Sequence, residues 1–365
     1  MTQQAFTPRW ASPPGRTIRL ALDARGLSVA EFAAAADLSP QAAESLLTGE
    51  APITMGVARK LESMVGGSVA FWVQRDGQYR DSLALVAADR WAEGFPTADL
   101  ARLGWIERPA SWTARIRTML GFFGVADTED WQRTYGVMLQ GARYRMARAA
   151  PLEPKAVAAW LRRAEVEAGP IDTAPWSADD FRRVLDAARP LTKLHDPAQF
   201  IPALREMCGA AGVAVVVVRA PAGCPASGAA RFDDRGRPQI VLSGRYLSDD
   251  HLWFTFFHEA AHLLLDGPGP VVVDVLEETS TGPGDNREAA ADAMAGELLL
   301  PPAVRNALLE GPVSPRDVVR AAREAGVSPG IVVGQLQHAG RLDYRSRYNG
   351  LKRRYAWRGA TLGMV

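Results

Sequence analysis

The stretch that most limits how this chain can fold is FTFFHEAAHLLL, residues 254–265, which sets two imidazoles and a carboxylate in apolar surroundings. A helix this apolar is buried, and a buried helix gains nothing from two histidines and a glutamate unless something offsets their desolvation. His258 and His262 are four apart, so on a helix they share one face and converge on a single ion. Zinc accepts imidazole nitrogen at about 2.0–2.1 Å, and a catalytic zinc takes three protein ligands plus a water. Glu259, adjacent to the first histidine, is placed to act on that water as general base. The chain has only five histidines, and two fall here.

A third ligand must come from another segment. The best candidate is Glu288, because REAAADAMAGELLLPP (287–302) reads as a helix stopped by its two prolines, with Glu288 and Asp292 on one face. Glu288 is expected to bind the metal and Asp292 to accept a hydrogen bond from a ligating histidine, fixing its tautomer. His338 is a candidate donor to a developing oxyanion, against the blander reading of a surface or core histidine. His251, two turns before His258, is expected to line the same cleft.

At 365 residues the chain exceeds what one core usually supports, so several domains are expected. The order of patterns gives a multidomain, mainly α protein: an N-terminal all-α helix-turn-helix (1–82), a helical connector (83–198), an α+β core with a small sheet (199–302), and a helical C-terminal extension with a basic tail (303–365). In the front part Ser28 with Glu31 makes a capping box, and Ser39-Pro40 caps the next helix, so two short helices meet at ADLS. In the rear part GVAVVVV, SGAARFDD and RPQIVLS read as strands, the last two joined by a hairpin turn at DDRGRP. RPQIVLS is expected to offer an exposed edge to an extended peptide.

The formal charge of +1 argues against a dominant whole-chain attraction to nucleic acid. Residues 1–80 hold eight Lys/Arg against seven Asp/Glu, leaving little counterion-release affinity. A recognition helix starting near Ser39 would present Ser39, Gln41, Ala42 and Ser45 to base edges, with Thr48 near phosphate. Binding would require a homodimer summing two weak half-sites; the other reading is a domain kept for dimerisation or partner docking. The tail RLDYRSRYNGLKRRYAWR (341–358) reads as a solvated, partly helical end, with phosphate contact as the alternative. No run reaches the roughly 20 apolar residues of a spanning helix, and two cysteines without CxxC spacing point to a reducing, cytoplasmic location.

WFTFFHEAAHLLL followed by REAAADAMAGELLLPP resembles the ImmA/IrrE family of metallo-endopeptidases, whose pattern is HExxH with a later ExxxN/D helix ending in Leu-Leu-x-Pro. SPGIVVGQLQHAGRL, FFGV and AAWLRRAE are also similar to long members of that group. Met294 departs from it, standing where an aromatic residue is usual. PPGRTIRLALDARGLSVAEFAAAADLSPQAAESLLTGEAPIT resembles lambda-repressor-like domains of the HigA antitoxin type, although Glu50 stands where relatives commonly carry lysine. The resemblance implies a gluzincin-like site using Zn2+, cleavage or control of a repressor, antitoxin or toxin partner, and possible operator binding by the front domain.

Overall fold

The computed structural model describes residues 7–136, 154–269, 272–274 and 286–365. The described residues divide into two compact units, one formed by residues up to 93 with 109–117, the other by 94–108 with 118–365.

The first unit is all helix. α1 (Pro14–Asp23), α2 (Val29–Ala35), α3 (Pro40–Thr48) and α4 (Met55–Val65) pack around Ile18, Leu22, Phe32, Leu46, Leu61 and Trp72. The local signals act as expected: Ser28 and Glu31 form a reciprocal capping box, and Ser39 accepts from the Ala42 N–H ahead of Pro40 at the first turn. Asp37, at φ 56°, takes the left-handed conformation that reverses the chain between α2 and α3. Gly15 lets α1 lie directly on the end of α3, since a Cβ there would come 1.8 Å from the Leu47 carbonyl oxygen. The long α5 (Val69–Glu93) runs without interruption through residue 82, the limit expected for the helix-turn-helix domain.

The second unit begins with α6 (Thr97–Arg102). The stretch around 103–123 is helical only in its later part, in α7 (Trp112–Phe123), whose residues up to 117 count with the first unit and whose remainder counts with the second, followed by α8 (Thr128–Trp131). Further on come α9 (Pro154–Ala168), α10 (Ala178–Ala188) and α11 (Pro197–Ala210). The sheet follows: β1 (Ala214–Val217), β2 (Gly228–Phe232), β3 (Pro238–Leu242) and β4 (Val272–Asp274), in the order β1-β3-β2-β4. β1 is parallel to β3, while β2 is antiparallel to both β3 and β4. β1 and β3 are buried at every position; β1 reads as an unbroken apolar run, and β3 carries one polar residue, Gln239, which donates to Asp233 at 3.3 Å. β2 shows the two faces by alternation: Arg231 pairs with Glu165 of α9 at 2.6 Å, and Gly228 lies against Glu259. Trp160 of α9 donates to the Val218 carbonyl at 2.8 Å.

One expectation is corrected and another holds in part. RPQIVLS is not an edge strand: β3 is paired on both sides, with β1 and β2 flanking it, and among the described residues the outer strands of the sheet are β1 and β4. The reading of 341–358 as a solvated, partly helical end holds for Arg341, Arg345, Arg347, Arg354 and Arg358, which are exposed, but not for Lys352 and Arg353. α14 (Pro302–Leu309), α15 (Pro315–Ala325), α16 (Pro329–His338) and the hairpin β5 (Tyr355–Arg358)–β6 (Thr361–Met364) place Val304, Val318, Val332, Tyr355 and Leu362 in the same core as the sheet. Within the tail, Lys352 and Arg353 turn inward: Lys352 Nζ meets Asp250 at 2.6 Å, and Arg353 donates to the Thr192 and Leu194 carbonyls at 2.7 and 2.9 Å.

Candidate metal centre

The apolar stretch forms α12 (Asp249–Leu265), and α13 (Asn286–Leu299) packs beside it. His258, Glu259 and His262 are all at least 97% buried. The histidine Nε2 atoms lie 3.1 Å apart, and each is 3.4 Å from Glu288 Oε2. Ligands on a tetrahedral ion at about 2.0–2.1 Å stand roughly 3.3–3.4 Å from one another, so these three atoms have the spacing of three corners of a zinc site. His258, His262 and Glu288 also make the one grouping of this kind among the described residues.

The outward nitrogens fix which atom faces that centre. His258 Nδ1 is 2.8 Å from Asp292 Oδ1, and His262 Nδ1 is 2.8 Å from Asp266 Oδ2. A carboxylate only accepts, so with an ion held each Nδ1 would carry the proton and each Nε2 would turn its lone pair to the ion. Asp266 was not singled out in the sequence, although its place four residues after His262 puts it one helical turn on along the same face. Burial disfavours the charged form of Glu288, but the hydrogen bonds and charges of His258 and His262 outweigh it and hold the carboxyl well below the usual range.

Glu259 lies beside the centre against β2. A Cβ on Gly228 would fall 2.1 Å from Glu259 Oε1 and 2.6 Å from Thr255 Cγ2, so only glycine leaves space for the carboxylate. That glycine is a second residue missed in the sequence; a lone glycine at the head of the strand SGAARF was its signal. Next to the centre a cavity of about 210 Å³ is lined by Ala230, Phe232, Leu263 and His262, with Asp266 and Arg287 among its polar groups. The edge strand β4 pairs with β2, its Asp274 opposite Gly228.

His251 and His338 are placed differently. His251 Nδ1 lies 2.9 Å from Ser248 Oγ, and its ring rests 4.4 Å from that of Tyr246, so it serves the start of α12. His338 ends α16, its ring 6.0 Å from Phe254, whose ring is in turn 6.0 Å from His258. It adjoins the His258–His262–Glu288 cluster through Phe254.

In the first unit Ser39, Gln41 and Thr48 are exposed, with Ala42 and Ser45 half-buried. Their hydrogen bonds are partly spent locally: Ser39 caps the helix, Thr48 donates to the Ser45 carbonyl at 3.1 Å, and Ser45 donates to Glu50 at 3.2 Å. Glu44 pairs with Arg19 at 3.0 Å.

Residues 210–336 match the Peptidase_M78 family, described as the IrrE N-terminal-like domain. Over 90 residues of its N-terminal part the chain is 37% identical to the uncharacterized HTH-type transcriptional regulator YddM of Escherichia coli (strain K12), covering 25% of this chain and 85% of that protein. No solved structure matches. No helix among the described residues is long and apolar enough to cross a membrane.

Proposed function

This chain belongs to the HTH-type transcriptional regulators and carries an IrrE N-terminal-like domain of the Peptidase_M78 family, and from that premise we propose that it is a zinc-dependent endopeptidase whose front domain brings it to DNA or to its protein partner. The observation that carries this reading is the meeting of His258 Nε2, His262 Nε2 and Glu288 Oε2 within 3.1–3.4 Å, with the Glu259 carboxylate buried alongside.

His258, His262 and Glu288 would hold the ion. Zinc bound there supplies a Lewis acid that polarises the scissile carbonyl and the attacking water. Asp292 and Asp266 keep both imidazoles in the tautomer that offers Nε2. Glu259 takes a proton from the attacking water as its oxygen adds to the carbonyl carbon, then delivers that proton to the departing amine nitrogen as the C–N bond breaks. An extended peptide adds to β4, the outer strand next to β2 among the described residues, with a side chain entering the cavity beside His262; main-chain pairing of this kind favours a flexible segment as the cut site. His338 is a candidate to bind the carbonyl oxygen as it gains charge, if substrate binding draws it past Phe254.

The protein cut is a repressor, antitoxin or toxin, and the first unit works as a homodimer that places Gln41 and Ala42 against base edges. A second reading is an antitoxin-type DNA-binding repressor whose metal site is structural or sensory. It is favoured by the helix-turn-helix relative, and opposed by a carboxylate at Glu259 that a non-cutting site does not require. Elemental analysis of the purified chain, wild type against His262→Ala and Glu288→Ala, is the first test. About one zinc per chain that both variants lose supports the three-ligand site; zinc retained without Glu288 removes that ligand from the reading. Cleavage of candidate partners by wild type, with Glu259→Gln as control, then separates the peptidase from the repressor.

A further inference from the structure

We propose that Lys352 and Asp250 are positioning residues for the metal centre: their buried ion pair locks the axial register of α12 against α16, and so sets where His258 and His262 meet Glu288. The proposal rests on reading those three residues as a metal centre.

Three segments far apart in sequence converge on the first turn of α12. Asp249 is fully buried and Asp250 is 6% exposed. α16 meets them with bare backbone: a Cβ on Gly330 would lie 2.4 Å from Asp249 Oδ1, and one on Gly334 2.9 Å from Asp250 Cβ. Two glycines one turn apart allow close approach but give no side-chain ridges to fix how far one helix slides along the other. Polar contacts fix it instead. Asp249 accepts from Ser328 Oγ at 2.7 Å and from the Arg353 N–H at 3.0 Å. Asp250 takes Ser248 Oγ at 2.6 Å and Lys352 Nζ at 2.6 Å. The same Nζ donates to Gln337 Oε1 of α16 at 2.6 Å, so one ammonium, 5% exposed, ties α12 to α16.

The helix N-terminus favours one negative charge, but two adjacent carboxylates repel, and Lys352 offsets the second. Burial opposes the charge on Asp250, yet the bond from His251 and the charge of Lys352 prevail and keep it ionised. A slip of one residue would part the buried ammonium from Asp250, while the neighbouring Asp249 is already taken up by Ser328 and the Arg353 N–H, which is what makes the register discrete. The consequence is felt along the helix. Asp250 and His258 are eight residues apart, about 12 Å at about 1.5 Å per residue, and a stiff helix passes an axial shift on undiminished. Glu288 stands on α13, which packs against α16 where Gly296 meets Gln335, so with α13 kept in place a shift of α12 by about 1.5 Å, one residue's rise, parts both histidines from Glu288, now 3.4 Å away.

The test is the full-length double variant Asp250→Leu/Lys352→Met, which replaces the pair with apolar groups of similar size. Such exchanges are often neutral or stabilising, so a melting temperature at or above wild type is expected. If the pair positions the site, zinc affinity measured against a chromophoric chelator falls by about 10–100-fold despite intact folding. In the metal-free chain, hydrogen exchange of the amides around His258 and His262 rises as well. A double variant that binds zinc and exchanges like wild type overturns the proposal. If the double variant does not fold, Lys352→Arg decides: it keeps the charge but cannot hold one nitrogen on both Asp250 and Gln337, so the same fall in zinc affinity is expected and its absence overturns the proposal. A wild type that binds no zinc refutes the metal-centre reading, while exchange in the metal-free chain still decides the positioning role.

Discussion

α12 and α3 are both short helices carrying polar side chains that the sequence marks for function, and they treat those side chains in opposite ways. On α12 the polar groups are buried and closely surrounded: Asp292 of α13 lies on His258, Asp266 at the end of α12 itself on His262, and Gly228 of β2 against Glu259. On α3 they are exposed or half-exposed, and their hydrogen bonds go to the helix itself or to Glu50. Burial makes an unheld polar group expensive, so geometry on α12 is over-determined; solvent makes the same group cheap, so α3 is free to vary. Substitutions on α12 should therefore act by orders of magnitude and those on α3 by small factors.

The largest effect is expected for Glu259→Gln. Losing the general base should lower peptide cleavage by about 10²–10⁴-fold with zinc retained. Zinc content and cleavage rate measured on one preparation check this, and an active variant would assign the base elsewhere. Gly228→Ala approaches the same result from β2: its methyl would displace the Glu259 carboxylate, so cleavage falls while His258, His262 and Glu288 still bind metal.

Next in size is Asp266→Asn. It removes the carboxylate that holds His262 Nδ1–H and should weaken zinc binding by about 10–100-fold, read by chelator competition. Asp292→Asn should do the same through His258. Equal zinc affinity in both variants would mean the histidines need no outer support, and α12 would lose its contrast with α3.

The acid limb of stability gives a milder effect. Glu288 in the metal-free chain has its pKa depressed by the two histidines against the pull of burial. A depressed carboxyl contributes stability that is fully present above its ordinary pKa of about 4.3 and is lost as pH falls toward the folded value. Melting of the metal-free chain should therefore drop on acidification through that range, and Glu288→Gln should flatten the drop. An unchanged acid limb in Glu288→Gln would show that other carboxylates govern it.

The same contrast explains what could be read in the sequence. HExxH, the later ExxxD and the helix caps were legible because each is a local pattern with a cost attached: two imidazoles in an apolar helix, an orphan N–H at a helix start. Gly228 and Asp266 were harder, since their roles appear only once β2 lies on α12. β3 was misjudged as an edge because strand order depends on non-local pairing, and an apolar run looks alike at the edge and in the middle of a sheet. Within the basic tail the inward turn of Lys352 and Arg353 was not legible, because composition shows only that they carry charge; the buried acids they meet lie about a hundred residues earlier in the chain.

The smallest effect is expected at Glu50, and it tests the α3 side of the comparison directly. Glu50 is exposed, accepts from Ser45 and carries negative charge where the helix-turn-helix would approach phosphate. Glu50→Lys removes that repulsion and frees the Ser45 hydroxyl. Because α3 is held by its own caps and core residues, the fold and the metal centre should be untouched. If the first unit binds DNA, one added phosphate contact should steepen the dependence of log K on log salt by about 0.9 and raise affinity only modestly at moderate salt. Titration of a fluorescent duplex at several salt concentrations reads the slope without knowledge of the operator. A slope that does not move would place Glu50 away from the phosphates, and with no binding at low salt in either protein the unit would be a partner-docking domain, its exposed helix serving protein rather than DNA.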